Sequence, residues 1–257
     1  MKGLFDVSGK TVLVSGGSSG IGAMMAQGFL EHGAKVFIVA RKVDALRAKA
    51  EELRAFGECV AIPADLSSVS GIEQAVAEIS AEARAVDVLI NNAGANWAEP
   101  LAQYQEAGWD KVMDINAKSI FFTIQKMLPL LRHGLPEDPA RVINIASVNG
   151  LRNSGLPTYA YTASKAAVIH LTQHLGTELA PSNITVNAIA PGLFASKMTK
   201  QIVEDEAQVS SVLNAIPLGR MGASGDIAGT SLFLASRASA WMTGQTIVLD
   251  GGMTAAP

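Results

Sequence analysis

Short apolar runs alternate with longer amphipathic stretches along almost the whole chain. Short runs rich in β-branched residues are typical of strands buried on both faces. We predict seven strands, over residues 11–15, 34–40, 58–62, 86–90, 141–146, 184–190 and 245–249. Between them, stretches rich in Ala, Leu and charged residues predict helices over residues 23–30, 43–56, 69–83, 107–133, 157–179 and 226–235. This alternation predicts an α/β fold, in which helices cover both faces of a parallel sheet.

Composition favours one large domain. The chain has 257 residues, of which 49% are hydrophobic and 17% charged, so it has ample material for a sizeable core. Residues 133–139 are turn-rich but too few for a linker, and we therefore predict a single domain over residues 1–257. The 20 basic and 23 acidic residues give a net charge of −3 without a block of like charge. This balance argues against a nucleic-acid or membrane partner.

The cysteine content and the N-terminal sequence indicate where the protein works. A single cysteine, Cys59, excludes an intramolecular disulfide and suits a reducing compartment. Residues 1–10 lack the apolar segment of a signal peptide. No apolar run reaches the roughly 18 residues that a membrane-spanning helix needs. We therefore expect a soluble, cytoplasmic protein.

A glycine-rich turn follows the first predicted strand and opens the first predicted helix. It contains Gly16, Gly17, Gly20 and Gly22. Backbone N–H groups at such a helix start, together with the helix dipole, attract an anion such as a dinucleotide pyrophosphate. The spacing differs from the GxGxxG fingerprint. The same segment also fits G-x-S-x-G, with Ser18 as a hydrolase nucleophile, and local context does not separate the two interpretations.

Polar residues follow the next strands, at the edge where ligands bind in such sheets. Arg41 and Lys42 come after the second strand, where cations would pair with the 2′-phosphate of NADP; ordinary solvated cations are the alternative. Asp65 follows the third strand, and a simple helix cap is its alternative role. The tetrapeptide at residues 91–94, Asn-Asn-Ala-Gly, follows the fourth strand and could be a plain turn.

Tyr161 and Lys165 are four residues apart in a predicted helix and therefore share one face. A tyrosine has an ordinary pKa of about 10, and a neighbouring ammonium would lower it toward a value useful in acid–base catalysis. Tyr159 lacks such a lysine, because Ala163 lies four residues after it. Ser147 ends the fifth predicted strand, where its hydroxyl could hold a substrate carbonyl oxygen.

These motifs together resemble the short-chain dehydrogenase/reductase family over essentially the whole chain. The resemblance includes the Gly16-xxx-Gly20-x-Gly22 turn, the Asn-Asn-Ala-Gly tetrapeptide and Pro191-Gly192. It is greatest to bacterial 3-oxoacyl-[acyl-carrier-protein] reductases, including the rhamnolipid-associated type. It implies a single doubly wound Rossmann-type domain with a seven-stranded parallel sheet in the order 3-2-1-4-5-6-7.

The resemblance also implies roles for individual residues. It makes Asn116, Ser147, Tyr161 and Lys165 a catalytic tetrad, with Asn116 anchoring a water that relays protons to Lys165. The cofactor-binding residues it implies are Gly16, Ser18, Ser19, Gly20, Ile21, Gly22, Arg41, Lys42, Asp65, Leu66, Asn92, Ala93, Gly94, Tyr161, Lys165, Pro191, Gly192, Phe194 and Ser196. The cofactor expected is NADP(H) in preference to NAD(H).

Two departures from the family pattern concern the glycine turn and the substrate loop. Ser15 stands where the family prefers Thr, which keeps the hydroxyl. The gap between Ser147 and Tyr161 is slightly longer than in most members, which leaves specificity open. We predict substrate contacts from Trp97, Asn149, Leu151, Leu156 and Met198, and a substrate lid over residues 193–218.

We therefore expect an enzyme that reduces a ketone to a secondary alcohol with NADPH, most specifically a 3-oxoacyl thioester. The apolar make-up of the predicted lid favours this substrate over that of a sugar-acid dehydrogenase of the gluconate 5-dehydrogenase type. An acyl carrier protein is a candidate partner, through Lys126, Arg132 and Arg152. The long apolar helices, which family members pair between subunits, predict a homotetramer, with a dimer as the alternative.

Three other interpretations fit the sequence less well. A hydrolase of the G-x-S-x-G type would carry its histidine toward the C-terminus, but the last histidine is His174. His170 and His174 are four residues apart, yet no HExxH motif or third ligand accompanies them, so we expect no metal site. A cofactor-binding sensor without catalysis would be expected to lack Tyr161 or Lys165, and both are present.

Overall fold

Seven parallel strands form one sheet in the computed structural model, which describes residues 3–131, 134–153, 155–195 and 213–255. The strand order is β3-β2-β1-β4-β5-β6-β7, as predicted. Strand β1 pairs with β2 on one side and with β4 on the other, so that the order reverses beside β1. The strands are β1 (Thr11–Ser15), β2 (Lys35–Ala40), β3 (Cys59–Pro63), β4 (Val88–Asn91), β5 (Ala140–Ile145), β6 (Ile184–Pro191) and β7 (Thr246–Leu249).

Helices cover both faces of this sheet. Every residue of β4, β5 and β6 is buried, and most of these residues are apolar, as expected for strands covered on both faces. One face packs against α3, α5 and α6, and the other against α1, α2 and α7. The helices of the described residues are α1 (Gly20–Glu31), α2 (Val43–Leu53), α3 (Val69–Glu82), α4 (Glu106–Met113), α5 (Ser119–Met127), α6 (Tyr159–Leu179) and α7 (Ser224–Ala235).

The helix predicted over residues 107–133 is divided and shorter. A π-helical turn, Asp114–Lys118, separates α4 from α5, and α5 ends at Met127. The backbone N–H of Val86 donates to the carbonyl oxygen of Leu130 at 2.6 Å, and Val86 forms a parallel bridge with Leu131. This pairing ends the helix early and also removes Val86 from β4, which the sequence placed at residues 86–90.

The remaining elements differ from the prediction mainly at their ends. Helix α2 stops at Leu53, three residues before the predicted end at Phe56, and most strand ends move by one or two residues. The helix at residues 23–30 begins earlier, at Gly20. Within the described ranges, no helix is long and apolar enough to cross a membrane. The carboxyl ends of β1 and β4 meet at the reversal point of the sheet, where ligands bind in doubly wound folds.

Candidate active site

The glycine turn between β1 and α1 takes a conformation that only glycine adopts easily. Gly16 and Gly20 have positive φ angles of 68° and 55°. A Cβ atom on Gly16 would lie 2.8 Å from Nδ2 of Asn92, and one on Gly17 would lie 2.5 Å from Cγ2 of Ile38. Ser19 precedes α1 without capping it through its side chain. The turn therefore leaves the start of α1 without a side-chain acceptor, as a phosphate site requires.

Ser15 joins the glycine turn to the end of β4. Its hydroxyl oxygen accepts hydrogen bonds from the backbone N–H groups of Asn92 and Ala93, at 2.8 and 3.0 Å. In return, Nδ2 of Asn92 donates to the carbonyl oxygens of Ser15 and Gly16, at 2.9 and 3.3 Å. These bonds need only the hydroxyl, which serine and threonine both carry, so Ser15 can replace the threonine that the family prefers. Asn92 and Ala93 lie beside the turn, and Gly94 follows them close to Asn116.

Two cations follow β2 and a carboxylate follows β3, near the predicted adenosine end of the site. Arg41 and Lys42 are exposed, and Nη1 of Arg41 lies 3.8 Å from a carboxylate oxygen of Asp65. The carboxylate of Asp65 also accepts hydrogen bonds from the N–H and hydroxyl of Ser67, which lower its pKa against the opposing effect of partial burial. Leu66 is buried in the core, so a cofactor contact there would fall to its backbone.

The end of β6 contributes the other predicted cofactor residues. Pro191 ends the strand, and the N–H of Gly192 donates to the carbonyl oxygen of Leu249 at 2.9 Å. The ring of Phe194 is 3% exposed and packs against Gly222, where a Cβ atom would overlap it. Its side chain belongs to the core, so a cofactor contact there too would fall to the backbone. Ser196 lies outside the described residues.

Asn116 lies in the π-helical turn and is fully buried. Its oxygen accepts from the N–H of Ala95 at 2.8 Å, and its Nδ2 donates to the carbonyl oxygen of Ala95 at 3.0 Å. The same Nδ2 donates to the hydroxyl of Ser164, also at 3.0 Å. Ser164 in turn donates to the carbonyl oxygen of Tyr161 at 2.7 Å. Asn116 therefore ties the chain after β4 to the helix that carries Tyr161.

Tyr161, Lys165 and Ser147 come together above the end of β5. The Ser147 side chain lies close enough to the Tyr161 phenol to lower its pKa. The ammonium of Lys165 lies 5.7 Å from the ring centroid of Tyr161 and donates to the carbonyl oxygen of Ile145 at 2.7 Å. Ser147 is nearly buried and accepts from the N–H of Asn149 at 3.2 Å. The structure thus brings together these three predicted catalytic groups and links Asn116 to them through Ser164.

Burial is the largest influence on the pKa values of Lys165 and Tyr161. Loss of water around the Lys165 ammonium lowers its pKa to about 8. The pKa of Tyr161 is raised by burial, while the Ser147 side chain acts in the opposite direction. Desolvation of the phenol therefore outweighs the effect of Ser147 in this structure, and the expectation that Lys165 lowers the pKa of Tyr161 stays a prediction.

The predicted substrate residues form a more open surface. Leu151 and Leu156 are 47% and 57% exposed, in the chain between Ser147 and α6. Trp97 follows β4 and is half-buried, and Asn149 lies in a short 3₁₀ turn, Val148–Gly150. Of the predicted lid, residues 193–195 and 213–218 are described, whereas residues 196–212, including Met198, lie outside the described residues.

A chain of buried polar side chains behind the site escaped the sequence analysis. Asn91 donates through Nδ2 to the side-chain oxygen of Asn144 at 2.9 Å, and Asn144 donates to the hydroxyl of Thr172 at 3.0 Å. This chain connects β4, β5 and α6, the helix that also carries Lys165. An asparagine inside an otherwise apolar strand was the available signal, since a buried amide requires hydrogen-bond partners.

The histidine pair gives no sign of metal binding. His170 is exposed on α6, and its ring nitrogen lies 3.3 Å from the side-chain oxygen of Gln173. Among the residues that the structure describes, no group of three His, Cys, Asp or Glu side chains is arranged to hold a metal ion.

Several known proteins are similar to this chain in both sequence and fold. A family model described as enoyl-(acyl carrier protein) reductase matches residues 16–254. The rhamnolipids biosynthesis 3-oxoacyl-[acyl-carrier-protein] reductase of Pseudomonas aeruginosa is 48% identical over 96% of this chain and 97% of its own length. The 2-dehydro-3-deoxy-D-gluconate 5-dehydrogenase of Dickeya dadantii is 38% identical over 98% of each chain. A solved Pseudomonas aeruginosa RhlG/NADP active-site complex superposes with a TM-score of 0.95 at 46% identity, covering 98% of this chain and 99% of that chain.

Proposed function

The chain belongs to the short-chain dehydrogenase/reductase family, and from this premise we propose that it reduces 3-oxoacyl thioesters to 3-hydroxyacyl thioesters with NADPH. The observation that carries the proposal is the meeting of Tyr161 with the buried Lys165, whose ammonium lies 5.7 Å from the Tyr161 ring centroid, together with Ser147 just after the end of β5. This arrangement offers a proton donor, a partner for a carbonyl oxygen and a cation within one site. Such a set serves carbonyl reduction.

The residues around the glycine turn fit a dinucleotide. The turn would hold the pyrophosphate at the start of α1, because its glycines leave no Cβ atoms in the way. Arg41 and Lys42 would pair with the 2′-phosphate, which favours NADPH over NADH. The name of the solved relative includes NADP, which supports the same choice. When bound, NADPH supplies the hydride that adds to the carbonyl carbon.

Side chains of the protein supply the proton that the carbonyl oxygen of the substrate takes up. Tyr161 donates its hydroxyl proton to the carbonyl oxygen of the substrate, which becomes the alcohol oxygen. Ser147 donates a hydrogen bond to the same oxygen and holds it beside Tyr161. The ammonium of Lys165 stabilises the phenolate that remains, and Asn116 keeps α6 in register with the chain after β4 through Ser164. We also propose that Asn116 anchors a water through which the phenolate recovers its proton.

The surroundings of the site support an apolar substrate. Leu151 and Leu156 present exposed apolar surface in the segment between Ser147 and α6, and Trp97 lies in the segment that follows β4. A sugar acid would instead need a fixed cation for its carboxylate. Nη1 of Arg152 donates to the carbonyl oxygen of Met253 at 2.5 Å, which directs this guanidinium toward the C-terminal segment.

A sugar-acid dehydrogenase of the gluconate 5-dehydrogenase type is the second candidate. The Dickeya dadantii relative carries a gluconate derivative in its name, at lower identity than the Pseudomonas aeruginosa reductase. A cofactor-binding redox sensor is the non-enzymatic alternative, and the presence of both Tyr161 and Lys165 speaks against it. Measurable NADPH oxidation with any ketone separates an enzyme from a sensor.

Partners and assembly are further parts of the proposal. An acyl carrier protein could deliver the thioester, although Lys126 is paired with Glu73 at 2.6 Å and Arg132 lies outside the described residues. We propose a homotetramer, with a dimer as the alternative, because α4, α5 and α6 carry the exposed aromatic residues Trp109, Phe121 and Tyr159. A monomer of 26.8 kDa in light scattering at micromolar concentration would contradict this assembly. The buried Cys59 fits a cytoplasmic setting.

Product identification tests the proposed function. The purified protein is incubated with NADPH and either a 3-oxoacyl thioester or 5-keto-gluconate, and the products are separated and identified. We expect a 3-hydroxyacyl thioester formed in step with NADPH oxidation, and little turnover of the keto-sugar acid. Rapid reduction of 5-keto-gluconate, with the thioester left unchanged, would favour the second candidate.

A further inference from the structure

The indole of Trp97 is held against helix α4. Gly108 lies directly under it, and a Cβ atom added there would come within 2.6 Å of the indole Nε1 and 2.7 Å of Cε2. The ammonium of Lys111, one turn further along α4, lies 5.1 Å from the ring centroid. A glycine within a helix costs about 1 kcal/mol relative to alanine. Here it is the residue type that lets an aromatic ring lie on the helix backbone.

Glu99 holds the same indole through its ring nitrogen. Its Oε2 accepts a hydrogen bond from Nε1 of Trp97 at 3.0 Å and another from the backbone N–H of Gln105 at 3.1 Å. Its Oε1 lies 3.3 Å from Nε2 of Gln105, which donates to it. The backbone N–H of Glu99 donates to the carbonyl oxygen of Pro157 at 3.1 Å. Glu99 therefore joins Trp97 to the chain before α4 and to the chain just before α6.

These contacts place Trp97 between two anchors of the catalytic site. Two residues before it, Ala95 is bonded through both backbone groups to Asn116. After it, the hydroxyl of Tyr104 donates to the carbonyl oxygen of Trp97 at 3.4 Å, and the ring of Tyr104 packs edge-on against that of Tyr159 at 5.5 Å. Tyr159 begins the helix that carries Tyr161. The position of the indole is thus tied to the position of the catalytic helix.

We propose that Glu99 and Gly108 are positioning residues that hold Trp97 as a rigid wall for the acyl chain of the substrate, and so set the preference for chain length. The inference rests on the proposed function, because it needs an acyl substrate. A side chain that is ordered before binding loses little conformational freedom when a ligand packs against it, so its apolar surface contributes more fully to affinity. A loosened indole would still contact the chain, but with less discrimination between lengths.

Selectivity and stability separate this role from a merely structural one. The measured quantity is the ratio of kcat/KM for a long 3-oxoacyl thioester to that for a short one. One buried methylene contributes up to about fourfold in kcat/KM, from about 0.8 kcal/mol. We expect the ratio to fall at least about fivefold in Gly108→Ala and Glu99→Ala, because kcat/KM for the long substrate should fall more than kcat/KM for the short one. Glu99→Gln keeps one acceptor for the indole and should retain more of the ratio than Glu99→Ala.

Gly229→Ala is the control for the added methyl group. Gly229 lies within helix α7, and a Cβ atom there would meet nothing within 4 Å. This variant gains the same helix propensity without disturbing an aromatic ring, and its ratio should equal that of the wild type. If Gly108→Ala and both Glu99 variants keep the wild-type ratio and differ only in thermal stability, the contacts are structural and the proposal is overturned.

Fluorescence provides a readout that does not depend on turnover. The chain has three tryptophans, so Trp109→Phe and Trp241→Phe together leave Trp97 as the only emitter. A saturated acyl thioester, which has no ketone to reduce, should change the Trp97 emission, and the change should need more ligand when Glu99→Ala is added. If the Trp97 emission does not respond to the ligand in either protein, Trp97 does not contact the acyl chain and the proposal is overturned. A wild-type protein that reduces ketones without any response to acyl length would instead overturn the proposed function beneath it.

Discussion

The catalytic rim and the substrate walls of this protein are built in different ways. The rim is formed by Ser15, Asn92, Asn116, Ser147 and Lys165. All of these except the half-buried Asn92 are buried, and their polar groups are joined by hydrogen bonds between separate elements. The walls at Leu151 and Leu156 are exposed apolar side chains on a connecting segment. Buried polar groups must be satisfied, so they fix one geometry, whereas exposed apolar residues can change with little cost to the fold.

This difference suggests that the chemistry and the selectivity of the enzyme can be altered separately. Changes in the rim should abolish turnover or lower stability, because each removes a bond that no neighbour replaces. Changes in the walls should leave the reaction in place and alter which substrate enters it. Trp97 lies between the two regions, since it is a wall residue held by bonds like those of the rim.

Removal of the Tyr161 hydroxyl should have the largest effect. Tyr161→Phe removes the proton donor, so turnover should fall by orders of magnitude while affinity for NADPH stays nearly intact. Tyr159→Phe is the control, because Tyr159 lies on the same helix and is followed four residues later by Ala163. Turnover and NADPH binding are measured on both variants. Near wild-type turnover in Tyr161→Phe would remove Tyr161 from the mechanism.

The bond between the glycine turn and β4 should give the next largest effect. Ser15→Ala leaves two backbone N–H groups without their acceptor and should lower the free energy of unfolding by about 2–4 kcal/mol. Ser15→Thr keeps the hydroxyl and should stay close to the wild type. Denaturant unfolding of the two variants gives the comparison. Equal stability of Ser15→Ala and Ser15→Thr would show that this hydroxyl does not join the two elements.

Replacement of Arg41 should have a smaller effect, on the preference for NADPH over NADH, because this side chain is largely exposed. The Arg41 side chain is 61% exposed and faces Asp65. Arg41→Ala should weaken NADPH binding about tenfold or more and NADH binding much less, since only NADPH carries the 2′-phosphate. Arg47→Ala, an exposed cation on α2, controls for the change in net charge. An equal loss of affinity for both cofactors would mean that Arg41 does not read the phosphate.

The pH dependence should be the smallest of these effects. Burial lowers the pKa of Lys165 to about 8, so the ammonium is present below that pH and is lost as the pH rises through it. Without the ammonium the phenolate of Tyr161 is less stabilised, and kcat/KM for ketone reduction should decline on the alkaline side with a midpoint near 8. A rate that stays constant as the pH passes through this value would contradict the role given to Lys165.

The elements that follow from local patterns were predictable from the sequence. The strands, the glycine turn and the spacing of Tyr161 and Lys165 depend on a few neighbouring residues. The early end of α5 was not predictable, because it depends on pairing between Val86 and Leu131, which are far apart in the chain. The raised pKa of Tyr161 depends on how much protein surrounds the phenol, which a spacing of four residues does not reveal. The contacts that hold Trp97 depend on Gly108 and Glu99, which come together around the indole only in the folded chain.

The dependence of the rate on acyl length tests the central claim most directly. The kcat/KM of the wild-type protein is measured with NADPH for a series of 3-oxoacyl thioesters of increasing length and for 5-keto-gluconate. We predict that kcat/KM rises with each added methylene, by up to about fourfold per group, until the apolar walls are covered. A preference for the keto-sugar acid, with no response to acyl length, would contradict the account.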